Sequence, residues 1–279
     1  MLNADQGSKR HWILNWRQVV PTMITLGAML AGFLSIVYVV QGFHSGAMRN
    51  EYYLNAARLI MLAMILDGID GNVARWLKGT SEFGAELDTY VDMTAFGIAP
   101  AILIFAVTLE AKEPLIRVLL PSAVALSGVV RLARFKVADP LRGQGGYGGL
   151  PITANAGWVA LFVFISQVKP TRSPCSLDYF SLQQGWFAAI FLIGILVFIS
   201  LQVSNVRYPK PTKKAVLFIP SAILVFLFVM LPARHSLWAA VTLLLLGLAY
   251  AVLGPMYVKG VALHQEKESK KKNETPAEL

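Results

Sequence analysis

An all-α, polytopic bundle of about eight transmembrane helices is the fold class this sequence predicts, and three observations predict it. The 279 residues are 56% hydrophobic and only 15% charged, with a mean hydropathy of +0.56, whereas soluble domains carry about a quarter of their residues as charges. Too few charged groups remain to cover a soluble surface, so a soluble enzyme is excluded. Apolar stretches of near-spanning length recur along the chain, and Lys and Arg concentrate in alternate loops. The single cysteine, Cys175, excludes an internal disulfide framework and metal sites built on clustered thiolates. A formal charge of +9 is accounted for by cytoplasmic retention of basic loops and attraction to anionic head groups, so membrane lipids, and no nucleic acid, are the expected partners.

Met1 to Gln18 forms a leader with Lys9, Arg10, His11 and Arg17. It lacks the small-residue cleavage site of a secretory signal and reads as a cytoplasmic or interfacial segment anchored by Trp12 and Trp16. A hydrocarbon core takes about 20 apolar residues per helix. Eight stretches meet or approach that length: Val19 to Gln41, Tyr53 to Arg75, Gly84 to Thr108, Leu115 to Phe135, Gly149 to Val168, Gly185 to Val203, Ala215 to Leu231 and Leu237 to Val258. They make residues 19–260 one transmembrane domain. With the N-terminus inside, the cytoplasmic loops hold most of the cations, among them Arg75, Lys78, Arg131, Arg134, Lys136, Arg207, Lys213 and Lys214. The outer loops keep a minority that includes Arg49, Arg58, Lys112, Arg117 and Arg234. That asymmetry places the protein in the cytoplasmic membrane with both termini in the cytoplasm. Residues 261–279, with Lys270, Lys271 and Lys272 and no aromatic residue, read as a disordered basic tail. The glycine-rich run Gly143 to Gly149 reads as a mobile loop before the fifth span.

One region departs from the apolar pattern. Asp67, Asp70, Asp88 and Asp92 lie at the adjoining ends of the second and third spans. A charge at the centre of a transmembrane helix costs on the order of 3 kcal/mol, so such residues pair, bind ions or line a wet cavity. At about 100° per residue, Asp67, Asp70, Gly71, Ala74 and Arg75 share one helix face, and Gly84, Asp88 and Asp92 share another. The short Trp76 to Phe83 connection makes the two helices antiparallel neighbours, so both acidic faces converge at the cytoplasmic surface. Converging carboxylates repel unless cations sit between them, and an all-oxygen ligand set suits Mg²⁺ or Mn²⁺, one ion or two. Gly71, Ala74 and Gly84 leave room for a ligand against the backbone, and Arg75 adds an anion partner. By chemistry alone this is a phosphate or diphosphate site.

The pattern Asp67-x-x-Asp70-Gly71-x-x-Ala74-Arg75, eight residues, Gly84-x-x-x-Asp88-x-x-x-Asp92 resembles the full signature of the CDP-alcohol phosphatidyltransferases. The resemblance implies Asp67, Asp70 and Asp88 as metal ligands, with Asp92 joining the metal or acting as catalytic base on the acceptor hydroxyl. It also implies Asp67, Gly71, Ala74, Arg75 and Gly84 around the cytidine diphosphate, and a homodimer. Further segments resemble the phosphatidylserine synthase branch: Pro21-Thr22-Met23-Ile24-Thr25-Leu26, Gly32-Phe33-Leu34-Ser35-Ile36, Phe96-Gly97-Ile98-Ala99-Pro100, Arg131-Leu132-Ala133-Arg134-Phe135, Gly149-Leu150-Pro151 and Ser204-Asn205-Val206-Arg207-Tyr208-Pro209. That branch implies CDP-diacylglycerol and L-serine as substrates.

A planar guanidinium reads a carboxylate with two parallel bonds. Arg131 and Arg134, close together at the cytoplasmic end of the fourth span, are therefore the expected acceptor-binding pair. Two alternatives stay open from the sequence: another alcohol acceptor such as glycerol 3-phosphate, an inositol phosphate or choline, and a cation transporter whose carboxylates bind permeating ions.

Overall fold

The computed structural model describes residues 15–108, 114–138, 146–168, 182, 185–209 and 215–274. Its described residues fold into eight helices and one short two-stranded ribbon: α1 Trp16–His44, α2 Arg49–Trp76, α3 Glu82–Val107, α4 Pro114–Ala138, β1 Gly146–Gly148, α5 Ile152–Gln167, α6 Trp186–Val203, β2 Arg207–Pro209, α7 Ala215–Met230 and α8 Ala233–Glu274. Six helices, α1 to α4, α6 and α8, are long and apolar enough to cross a membrane, as an integral membrane protein requires.

The fifth and seventh apolar segments form shorter helices. Gly149 takes a positive φ of 82° and Pro151 is the residue before the helix, so α5 starts only at Ile152. Its 16 residues span about 24 Å at 1.5 Å per residue, less than a hydrocarbon core. Nearly every α5 residue from Asn155 to Ile165 is buried, which makes it the core around which the others pack. Trp158 stacks on Phe198 at 4.7 Å and tilts against Phe162 at 4.3 Å, and Phe162 meets Phe187 and Phe191. The indole lies over Gly194 of α6, where an added Cβ would sit 2.2 Å from Trp158 Cζ2.

Polar groups inside the bundle are spent on interhelical ties. Ser35 of α1 donates to the Ala56 carbonyl of α2 at 2.9 Å. Arg58 of α2 donates to the Leu231 carbonyl at 2.6 Å and to Ser236 Oγ at 3.2 Å, with its guanidinium over Phe164, so this cation closes the α7–α8 turn. Gln202 of α6 accepts from Asn155 of α5 at 3.0 Å and Ser127 of α4 at 3.2 Å. In hydrocarbon each such group would otherwise be left unsatisfied.

Two expectations are corrected. The Gly143 to Gly149 run is not wholly loop: residues 143–145 lie outside the described set, but Gly146–Gly148 pairs antiparallel with Arg207–Pro209, Tyr147 opposite Tyr208. The ribbon is anchored because Tyr208 is buried and donates to the Ala251 carbonyl, and Tyr250 donates to the Pro209 carbonyl. The disordered tail is corrected over residues 261–274, where α8 simply continues. The stretch from Val261 to Lys272 contains neither proline nor glycine, so helix propensity carries the helix beyond the apolar segment. The leader as far as residue 14 and the last five residues lie outside the described set; α1 begins at Trp16.

The α2–α3 connection is tightly specified. Lys78, at φ 53°, adopts the left-handed conformation, the Lys78 N–H returns to the Arg75 carbonyl and the Gly79 N–H to the Ala74 carbonyl, which is the Schellman closure. Gly79 then abuts α1: a Cβ there would lie 2.0 Å from the Arg17 carbonyl oxygen. That carbonyl is available because Pro21, four residues on, has no N–H to give it. Backbone meets backbone, so neither side can yield. Gly79→Ala is therefore expected to displace the turn and lower the melting temperature by several degrees, read in a detergent thermal-shift measurement, and an unchanged melting temperature would show that the contact is not needed.

Candidate active site

The site is assembled at the end of the bundle where α1 begins, α2 ends, α3 begins and α4 ends. Helix α3 starts at Ser81, whose Oγ accepts from the Gly84 N–H at 3.0 Å, an N-cap that sets the phase of Asp88 and Asp92 relative to α2. Immediately after Asp92 the helix widens into a π-helical turn, Met93–Ile98. Such turns re-aim side chains and recur at functional sites. This one is gripped from both sides. A Cβ on Gly32 of α1 would lie 2.7 Å from Ala95, and a Cβ on Gly128 of α4 would lie 2.8 Å from Ile152 and 3.6 Å from Gly97. Missing side chains let three helices approach closely, and α3 is held so that its acidic face meets that of α2.

Asp67, Asp70 and Asp88 converge: each offers a carboxylate oxygen, and these oxygens all lie within 4.8 Å of one another. A divalent ion with ligand distances of about 2.1–2.4 Å can bridge such a set, so the residues present fit the expected cation. The Asp67 and Asp88 carboxyl groups meet side by side. Asp92 stands next to the triad, with its carboxyl group reaching Asp67 and its charge opposed by Arg131. It is not one of the three whose oxygens gather. Its environment differs from theirs in that the Arg131 charge opposes its own.

Gly71, one residue after Asp70, faces open space, since a Cβ there would find only Arg75 Nη1 at 3.9 Å. Arg75 is exposed and donates to Asn72 Oδ1 at 2.9 Å, while Asn72 donates to the Gly68 carbonyl. The small-residue face predicted to admit a ligand is therefore uncovered, with a guanidinium at its rim. Ala74 and Gly84 are partly exposed.

The two arginines of α4 part company. Arg131 is buried, its guanidinium lying over the Phe135 ring at 5.8 Å and acting on Asp92. Arg134, expected to share acceptor binding, instead donates to the Val203 carbonyl at 2.7 Å, the Ser204 carbonyl at 3.2 Å and the Asn205 side chain. Its charge sits on the C-terminal carbonyls of α6, where a cation complements the helix dipole. Arg131 and Arg134 are three residues apart, and the roughly 60° between them on the helix is enough to send one inward and the other to α6. Lys136 pairs with Glu86 of α3, closing α4 over the start of α3.

One site residue went unread in the sequence as such. Thr25 of α1, buried, donates to Asp70 Oδ2 at 2.6 Å. A hydroxyl in an otherwise apolar span, one of two in the Pro21 to Leu26 segment, was the available signal.

If the aspartates are held together against their own repulsion, relief of one charge should not weaken the metal-free fold. In EDTA, Asp88→Asn is expected to melt at or above the wild-type temperature and to lose the Mn²⁺-dependent rise shown by the wild type. A fall of several degrees in EDTA would mean that the carboxylate serves the fold rather than an ion.

Comparison with known proteins identifies relatives of the chain. Residues 18–201 match the family model described as CDP-alcohol phosphatidyltransferase. The CDP-diacylglycerol--serine O-phosphatidyltransferase of Helicobacter pylori (strain ATCC 700392 / 26695) is 28% identical over 86% of this chain and 92% of its own length. The protein of the same name from Methanocaldococcus jannaschii is 34% identical over 74% of this chain and 86% of its own. The archaetidylserine synthase of Methanothermobacter thermautotrophicus is 30% identical over 68% of this chain and 70% of its own.

Proposed function

Since the chain belongs to the CDP-alcohol phosphatidyltransferase family, we propose that it transfers the phosphatidyl group of CDP-diacylglycerol to the hydroxyl of L-serine, giving phosphatidylserine and CMP in phospholipid biosynthesis. The observation that carries this reading is the convergence of Asp67, Asp70 and Asp88 beside an Asp92 that faces Arg131. The names of the relatives differ in the lipid but share serine, which supports that acceptor.

Asp67, Asp70 and Asp88 would hold Mg²⁺ or Mn²⁺, one ion or two, which supplies neutralisation of the diphosphate and of the charge that develops on departing CMP. Gly71, Ala74 and Gly84 leave the α2 and α3 backbones open to the cytidine diphosphate, and Arg75 at the rim takes a phosphate oxygen. Asp92 accepts the proton of the serine hydroxyl as its oxygen bonds to the lipid-side phosphorus. The bond from that phosphorus to the bridging oxygen breaks, and the oxygen leaves with CMP. Arg131, buried next to Asp92, binds the serine carboxylate and so brings the hydroxyl to its base. A lone guanidinium can serve both, having five donors in a rigid plane.

Arg17, Arg75, Lys78 and Lys136 gather at the same end of the bundle as the aspartates. That supports a cytoplasmic active site in the cytoplasmic membrane, with both termini on that side. The lipid tails remain in the bilayer while nucleotide and serine arrive from water. A homodimer completes the reading, carried over from the family resemblance.

Purified protein in nanodiscs with CDP-diacylglycerol, Mn²⁺ or Mg²⁺ and a panel of alcohols should release CMP with serine, and excess EDTA should stop turnover. Preference for glycerol 3-phosphate or another alcohol would reassign the acceptor, and full turnover in EDTA would overturn the metal site. Arg131→Lys is expected to raise the KM for serine about 30- to 150-fold, the loss of roughly 2–3 kcal/mol from a bidentate contact, with little change in that for CDP-diacylglycerol. Arg134→Lys should instead lower the melting temperature and leave the serine KM near wild type. Equal serine KM values in wild type and Arg131→Lys would place the carboxylate elsewhere.

A further inference from the structure

We propose that Thr25 is a positioning residue of the cation site: its hydroxyl holds the Asp70 carboxylate in the orientation that the ion requires, and so sets the affinity of the site. The proposal rests on the metal reading of the same aspartates. Thr25 and Asp70 are 45 positions apart in the chain and on different helices, yet Oγ1 lies 2.6 Å from Asp70 Oδ2, and the two residues are only 6% and 4% exposed.

The hydroxyl carries one proton and has two acceptors in reach, Asp70 Oδ2 at 2.6 Å and the Pro21 carbonyl at 3.0 Å. The carbonyl is neutral, is the more distant, and already stands opposite the Thr25 backbone N–H in the helix ladder. The carboxylate is charged and closer, so the proton goes to Asp70. Thr22, one turn earlier on α1, provides the contrast, since its hydroxyl donates to the Gln18 carbonyl of its own helix at 2.7 Å and, among the described residues, forms no hydrogen bond to another element. Of the two hydroxyls, only Thr25 is diverted from its helix to the acidic cluster.

A carboxylate on a short side chain turns about two bonds, and three neighbouring negative charges push Asp70 away from the position in which the oxygens gather. Committing one oxygen to Thr25 limits that rotation before any ion arrives. Asp67 and Asp88 have each other as neighbours, whereas Asp70 is tied to a different helix, so α1 takes part in the site without contributing a ligand. Outer partners of this kind alter metal affinity by about 10- to 100-fold when removed. The valine isostere keeps the volume and the β-branching of threonine and deletes only the donor.

The test is Mn²⁺ binding to the full chain in nanodiscs without substrate, followed by electron paramagnetic resonance of free Mn²⁺ and by the Mn²⁺ dependence of the melting temperature. Thr25→Val is expected to raise the Mn²⁺ dissociation constant by about 10-fold or more with little change of the melting temperature in EDTA. Thr25→Ser, which restores a hydroxyl, should return the affinity to within about threefold of the wild type, allowing for its looser rotamer. Thr22→Val should bind Mn²⁺ as the wild type does. Wild-type affinity in Thr25→Val, or an equal loss in Thr22→Val, would overturn the assignment while leaving the metal site standing. If Thr25→Val does not fold, failure of Thr25→Ser to bind better than Thr25→Ala overturns it equally. No Mn²⁺ binding by the wild type would remove the metal reading itself, and Thr25 with it.

Discussion

Mutual repulsion among carboxylates is the constraint on which this molecule turns. Asp67, Asp70 and Asp88 present oxygens within 4.8 Å of one another, with Asp92 alongside, in a protein whose remaining interior is almost wholly apolar. At such distances like charges oppose assembly unless a proton or a cation lies between them. Helices left to themselves would rotate the charges apart. The backbone must therefore be stiff where the acids are mounted, and the contacts around them show how that is done. Schellman closure and the left-handed Lys78 end α2, Ser81 starts α3, Gly79 locks the turn against Arg17, and Lys136 fastens α4 to Glu86.

Small residues supply the rigidity that bulky apolar packing cannot. Lipid is as apolar as leucine, so transmembrane helices gain little by burying large side chains and more by close approach. Gly32, Gly97 and Gly128 let α1, α3 and α4 meet around the π-helical turn, and Gly194 receives the Trp158 ring. The turn at Met93–Ile98 then separates two tasks on one helix: the part before it carries Asp88 and Asp92, and the part after it is buried core, Ala99 through Val107. Buried α5 fills the centre, and Arg58, Ser35 and Gln202 satisfy polar groups that hydrocarbon would not.

The same end of the bundle gathers both signs of charge. Arg75 and Lys78 are exposed at the rim, where the proposed anionic ligands would arrive from water, whereas the aspartates lie further in beside Arg131. A bare acidic cluster would repel a diphosphate, and a bare basic one would bind it without activating it. The combination, with Arg131 inside and Arg75 and Lys78 at the edge, is what the proposed reading requires: an anion approaching an acidic centre that would hold a cation. It also bears on the transport alternative, because the acids sit at adjoining helix ends rather than in broken helices at mid-span.

Sequence alone determined the membrane bundle, the face shared by Asp67, Asp70, Gly71, Ala74 and Arg75, the antiparallel meeting of α2 with α3, and the convergence of the carboxylates. Those conclusions need only hydropathy, a helical period of about 100° per residue and a short connection, all of which are local. Tertiary structure decided the rest. It brought Thr25 to Asp70 across 45 positions, sent Arg131 to Asp92 and Arg134 to the end of α6, and paired Gly146–Gly148 with Arg207–Pro209. It shortened α5 into a buried core helix and inserted a π-helical turn within a span that reads as uninterrupted. Each of these depends on which surfaces meet once the helices pack. Two arginines three residues apart have the same local sequence signal and acquire different partners only when α3 and α6 take their places against α4.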